Sequence, residues 1–175
     1  MKIARTIPLL LAFFISGPAL SAQVLINKIN WQVSRVQDKT KLPFEALSEI
    51  KLEPYQTFPH KLRAVVAVQN TSAKTAGGLV LRCALTLHIV RLADPADAGF
   101  WAVPFRVEEL RISQIMPAGS YEAKFIHSQL NEQLKKLKNT GFWADALKLA
   151  VMLDPRPGDD PSMIIRESVV NIKKP

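Results

Sequence analysis

The chain has 175 residues, 23 basic against 15 acidic, a formal charge of +8, and a single cysteine. That length suits one domain with a sizeable core and leaves two full domains cramped, while a lone cysteine excludes an intramolecular disulfide in any compartment. The basic balance favours loose association with acidic surfaces, but the charges are scattered, as on a soluble protein kept dispersed by its lysines, and they predict no specific nucleic-acid binding.

The chain begins "MKIARTIPLLLAFFISGPALSAQ". Lys2 and Arg5 precede a short apolar run from Ile7 to Ile15, and Gly17, Pro18 and small residues follow. This is the three-part layout of a secretory signal peptide. The run is shorter than the roughly 20 residues a membrane span requires, so residues 1–22 are read as cleaved, after Ala22 or Ser21, with no transmembrane span left behind. Residues 23–175 then form one periplasmic or secreted domain with 21 basic and 15 acidic residues, a formal +6.

From Val24 the segment "VLINKINWQVSRV" alternates, with Leu25, Ile29, Trp31 and Val33 on one face and Asn27 interrupting it, which predicts an opening strand. Residues 37–60 hold three prolines, four acids and three lysines without a sustained period. They read as a long loop with one helical turn at Phe44 to Ile50, either functional or wrapped over an edge. Leu62, Ala64, Val66 and Val68 then alternate with Arg63, Val65, Ala67 and Gln69, and after a turn at Asn70 to Gly78 the alternation resumes through Leu79, Leu81, Cys83, Leu85, Leu87 and Ile89. The pattern predicts a hairpin. A further strand runs from Phe105 to Ser113, with an irregularity at Glu108 and Glu109. The Pro-x-Gly turn of "IMPAGSYEAKFI" and the alternation Tyr121, Ala123, Phe125 predict a second hairpin. Leu130, Leu134 and Leu137 recur at steps of four and three, so Ser128 to Lys138 reads as an amphipathic helix capped by Ser128 and ended by Gly141. Leu147, Leu149, Val151 and Leu153 share a strand face, "DPRPGDDP" is a polar loop, and "MIIRESVVNIKK" is the closing strand. These elements predict an all-β fold, an antiparallel immunoglobulin-like β-sandwich of about seven strands with one short amphipathic helix, a barrel being the competing architecture.

The stretches "VVAVQNTS", "IMPAGSYEAKF" and "LKLAVMLDP…RESVVNI" together resemble the bacterial immunoglobulin-like domains of the CARDB type and their fibronectin-like neighbours, over roughly Leu62 to Ile172. The resemblance bears on fold rather than on function. The helix and the 37–60 loop are larger than that pattern expects.

Cys83 lies on an apolar strand face without a neighbouring cation, which predicts a buried, inert thiol. His60, His88 and His127 are not spaced as metal pairs, and His88, beside Arg82 and Thr86, reads as a surface imidazole. Asp154, Asp159, Asp160 and Glu167 could offer oxygens to calcium but lack its alternating spacing, so they read as a solvated turn. Asn70-Thr71-Ser72 fits a glycosylation sequon and more simply a turn. Trp101, in "DAGFWAVPF", reads as a lid on the core or as a binding anchor.

No catalytic, cofactor or metal-ligating residue is singled out by these patterns. They predict an exported, non-enzymatic binding or assembly module of the cell envelope. Its contacts to an envelope protein or an anionic surface polymer would involve Phe100, Trp101, Lys135, Lys136 and Lys138. The alternative is a periplasmic enzyme or carbohydrate-binding protein whose pocket lies between residues 37–60 and 98–105 and joins Trp101, Tyr55 and Glu53.

Overall fold

Alternating apolar positions generate long strands, and the computed structural model, which describes residues 24–37, 40–53, 57–127, 129–157 and 159–173, arranges them in two facing sheets. The predicted signal segment lies outside the described residues, as do Tyr55 and Ser128. In chain order the strands are β1 (Val24–Ser34), β2 (Val36–Gln37), β3 (Thr40–Lys41), β4 (Glu45–Ala46), β5 (Glu49–Lys51), β6 (Lys61–Asn70), β7 (Ala76–Arg91), β8 (Phe100–Trp101), β9 (Arg106–Ile115), β10 (Ser120–His127), β11 (Phe142–Leu153) and β12 (Ile165–Lys173). Helix α1 (Leu130–Leu137) precedes β11, and the single turn α2 (Pro161–Ile164) precedes β12. One sheet has the order β10-β6-β1-β4; the other runs β5-β12-β11-β7-β8, with β9 also pairing β7, and β2-β3 form a small separate ladder. The all-β character expected from the alternation is present.

The core lies between the sheets. Leu81, Cys83, Leu85 and Leu87 of β7 stand opposite Leu153, Val151, Leu149 and Leu147 of β11, and they meet Leu62, Ala64, Val66 and Val68 of β6 with Phe125 of β10. Trp31 of β1 is buried between the layers, and its indole nitrogen donates to Ser168 Oγ of β12 at 3.0 Å. A buried polar hydrogen is thereby satisfied across the two sheets.

Several local expectations are corrected. The register of β1 against β6 shifts between Ile26 and Lys28. This bulge reverses the alternation at Asn27, so Val24 and Ile26 are buried and Leu25 is not. The two expected hairpins do not form: β6 and β7 belong to different sheets, and so do β9 and β10. Each of these connections crosses from one layer to the other. The segment Phe44 to Ile50 is not helical, because β4 pairs the edge of β1 and β5 runs parallel to β12, with fully buried Ile50 opposite Ile172. The 37–60 segment thus covers an edge of each sheet, a standard protection of exposed strand edges. At Glu108 and Glu109 the ladder of β9 on β7 is regular. Glu108 stands opposite inward-facing Cys83 and is tolerated at this edge because it is ion-paired with Arg106. The polar loop contains α2, where Asp160 accepts from Ser162 N at the N-cap position and Pro161 opens the turn.

Helix α1 buries Leu130 and Leu134, packs Leu137 against the core, and is shorter than Ser128 to Lys138. Gln129 occupies its N-cap without a side-chain capping bond. Asn139 and Gly141, both at positive φ, turn the chain out of it.

Candidate functional site

The antiparallel ladders bring the ends of β1, β7, β10 and β12 and the starts of β6 and β11 to one end of the sandwich. The 35–60 segment, residues 92–105 and α1 therefore cluster there. Asn131 of α1 fastens this end by accepting from Phe58 N and donating to Phe58 O, both at 2.8 Å.

On one side of α1 is a groove of about 150 Å³ lined by Leu87, Ile89, Val103 and Phe105 from the sheet edge and by Lys136 and Leu137 from the helix. Phe100 adjoins it through Ile89, its register partner, and packs edge-on against Phe142 at 6.5 Å. At 55% and 82% exposure respectively, Phe100 and Val103 hold apolar surface out to solvent.

Trp101, the next residue of the short strand β8, points to the opposite face. Its ring lies 4.9 Å from the His88 ring, with Lys148 Nζ 4.5 Å from the indole centroid, a cation-π distance. Trp101 is therefore an exposed cover on the outer face of the sheet and not a lid on the core. His88 is not an ordinary surface imidazole either. Its Nδ1 lies 2.6 Å from Asp145 Oδ1, and both side chains are only 16% exposed. The β11 bulge between Ala144 and Ala146 places Asp145 there. The backbone of Gly99 closes over the pair, and a Cβ on it would stand 2.3 Å from His88 Cε1. The arrangement locks β8 and its approach onto β7.

Of the expected contact residues, Lys136 lines the groove, Phe100 lines a neighbouring hollow with Arg91 and Phe142 that shares only Ile89 with it, and Trp101 stands on the opposite face of the sheet. Lys135 and Lys138 stand four and seven residues after Asn131, so they share that flank of α1 rather than the groove side.

On the far edge of the same sheet, a larger cavity of about 570 Å³ is bounded by Val33, Leu47 and Phe58 and by Arg35, Glu49, Lys51, His60 and Lys173. Three strands, β12, β11 and β7, separate β5 from β8. Neither this cavity nor the groove is lined by Glu53 or Trp101, and Tyr55, the third residue expected of a shared pocket, lies outside the described residues.

Cys83 is 5% exposed. Burial, reinforced by the Glu108 carboxylate, pushes its thiol up to about 12. The four acids weighed for calcium are dispersed. Asp154 pairs with Arg82 at 3.3 Å, Asp159 accepts from Arg156 N, and Glu167 pairs with Lys148 at 3.3 Å. Asp160 is held below the usual carboxylate range by the Ser162 backbone and hydroxyl hydrogen bonds. Among the described residues no group of three or more potential ligands could hold a metal ion, and no helix there is long and apolar enough to cross a membrane. Asn70 of the sequon is completely buried, which closes it to a glycan in the folded chain. No protein-family model matches the chain, and no curated protein matches it.

Proposed function

We propose that the chain is an exported, non-enzymatic binding or assembly module of the cell envelope, built on an immunoglobulin-like sandwich of the fibronectin-like kind. The fold reading is supported by the order of the long strands. The first, second and fifth (β1, β6, β10) share one sheet, and the third, fourth, sixth and seventh (β7, β9, β11, β12) share the other, with layer-crossing connections. Periplasmic or secreted location follows from the signal-like leader. It is tested by the intact mass of the protein in its native compartment: a start at Ala22 or Gln23 supports export, and a full-length species held in the membrane opposes it.

The binding reading rests on the groove beside β8, where Val103 stays exposed next to Lys136, with exposed Phe100 in the adjoining hollow. An exposed apolar strip on a sheet edge with a cation at its rim suits an extended segment of an envelope protein that carries apolar anchors and an acidic flank. A photo-crosslinking residue at Lys61, outside the groove, and one at Ala102, inside it, compare the two surfaces in intact envelopes. A defined adduct from position 102 that disappears with Val103→Asp and with Lys136→Glu, and persists with Lys124→Glu on the other sheet, supports the proposal. An adduct indifferent to the two groove variants, or equal adducts from both positions, would refute it.

A further inference from the structure

We infer that the cavity between β1 and β5 is a binding site for a small amphiphilic anion, a molecule with one phosphate or carboxylate group on a short hydrocarbon body. This site lies across α1 from the groove and is independent of the protein-binding reading.

Three observations carry the assignment. The cavity measures about 570 Å³, within the range of small-molecule sites. Its wall is unevenly charged: Arg35, Lys51 and Lys173 face it against the single carboxylate of Glu49. Arg35 is joined to Glu45 at 2.9 Å in a pair exposed on both sides, and exposed Lys173 to the part-buried Glu49 at 2.6 Å, whereas Lys51 makes no ion pair among the described residues. An exposed pair such as that of Arg35 holds weakly, so an entering anion can take up Arg35 by exchange and Lys51 outright. The apolar part of the lining is Leu47, which is partly exposed and rests on the core, over the edges of the buried Val33 and Phe58. A cationic rim over an apolar floor selects a ligand of the same two-part character and discriminates against a bare anion or a bare alkane.

His60 adds a fixed wall. Its ring packs edge-on against Phe58 at 5.5 Å, and its Nδ1 is buried without a hydrogen-bond partner.

The test is calorimetric titration of the full chain with hexyl phosphate, with inorganic phosphate, hexanol and hexylamine as partial probes. Hexyl phosphate should bind at least about tenfold more tightly than any of the three, and should weaken as salt is raised. Lys51→Glu, at an exposed position that leaves the fold intact, should weaken it by about tenfold or more, since one rim cation is replaced by a like charge. Lys124→Glu, on the far sheet, should leave it unchanged. Competition by phosphatidylglycerol vesicles, but not phosphatidylcholine vesicles, would identify the source as a lipid headgroup, and indifference to both would identify a soluble amphiphile. Equal binding of hexylamine, undiminished binding by Lys51→Glu, or no heat of binding at millimolar hexyl phosphate would overturn the assignment. Because none of these variants touches Val103 or Lys136, failure here is distinguishable from failure of the groove.

Discussion

Replacing Asn70 should be the most damaging single polar change in the molecule. Its side chain is fully buried where the β6–β7 and β9–β10 connections meet. Nδ2 donates to Lys74 O at 2.8 Å and lies 3.1 Å from both Ile115 O and Met116 O. Oδ1 accepts from Ser72 N at 3.1 Å and from Ser72 Oγ at 2.8 Å. In Asn70→Ala the buried Ile115 carbonyl is left unpaired, at a cost of about 1 to 3 kcal/mol. The groups on Ser72 and Lys74 reach water and lose about 0.5 to 1.5 kcal/mol each. Taken over Ile115, Ser72 and Lys74, the expected total is about 2 to 6 kcal/mol, a large part of the margin of a domain of this size. Asn70→Asp keeps the shape and the acceptor but turns an anionic oxygen toward three carbonyl oxygens. Burial and those dipoles raise the folded-state pKa of the introduced carboxyl above its unfolded value of about 3.9. Its destabilisation is therefore complete above the folded pKa, shrinks as pH falls from there toward the unfolded value, and is gone below it. Urea unfolding followed by tryptophan fluorescence at pH 7 and pH 4 measures both effects. A loss under about 1 kcal/mol for Asn70→Ala, or an Asn70→Asp deficit that does not shrink on acidification, would refute the reasoning.

Cys83 should resist a thiol reagent at pH 8 in the folded chain and react rapidly after unfolding, because its pKa is pushed up to about 12. Since the thiolate forms more readily in the unfolded chain, stability should fall as pH rises from about 8.5 toward 12, which alkaline denaturation in the presence and absence of Cys83→Ala would reveal. Ala118 holds φ of +54° in the turn that follows Pro117, a conformation costing an L-residue about 1 to 2 kcal/mol. Ala118→Gly should relieve that cost, offset by about 0.4 to 1 kcal/mol of added unfolded-state entropy, and so raise the thermal midpoint slightly. Gly99→Ala places its methyl against His88 Cε1, Val90 Cγ2 and the backbone oxygen of Ile89. It should cost about 1 to 3 kcal/mol in chemical denaturation, as overpacking does; an unchanged midpoint would mean that β8 is not locked there.

The layers were legible because alternation directly reports which side chains face inward, and Leu147, Leu149, Val151 and Leu153 need no other information. The partners of each strand were not. "VVAVQNTS" reads as a hairpin entry, yet Asn70 spends its side chain on Ile115 and Met116, more than forty residues away, and this long-range clasp sends the chain across to the other sheet. The β1 bulge illustrates the same limit on a smaller scale, since Asn27 marks an interruption but not the direction in which the phase will move. For the site, the exposed apolar character of "GFWAVPF" was visible, but the opposite facing of Phe100 and Trp101 follows from their register with Ile89 and His88. The pairing of His88 with Asp145 had no local signal, because it depends on a bulge in a strand fifty-seven residues away. The cavity is assembled from β1, the 44–51 segment, Phe58, His60 and the end of β12, so no window of sequence contains it.

The two ends of the sandwich divide the physical work between them. At the Asn70 end the connections are short and their polar groups are paired internally: Asn70 N donates to Gly119 O at 2.9 Å, Ala118 N to Ser72 O at 3.3 Å, and Asp160 caps α2. At the other end the connections are long, and their entropy of ordering has to be offset by contacts outside the sheets. The clasp of Asn131 on Phe58, the burial of Leu130 and Leu134, and the His88 and Asp145 pair beneath Trp101 supply those contacts. Each fixes a segment by its middle and leaves its margins free. The free margins are the places where the groove and the cavity open, because a segment held at one point and exposed at the next presents side chains in a defined direction without covering them. The exposed apolar residues Phe100 and Val103 and the cations Lys51 and Lys136 accordingly lie at the end where the connections are longest.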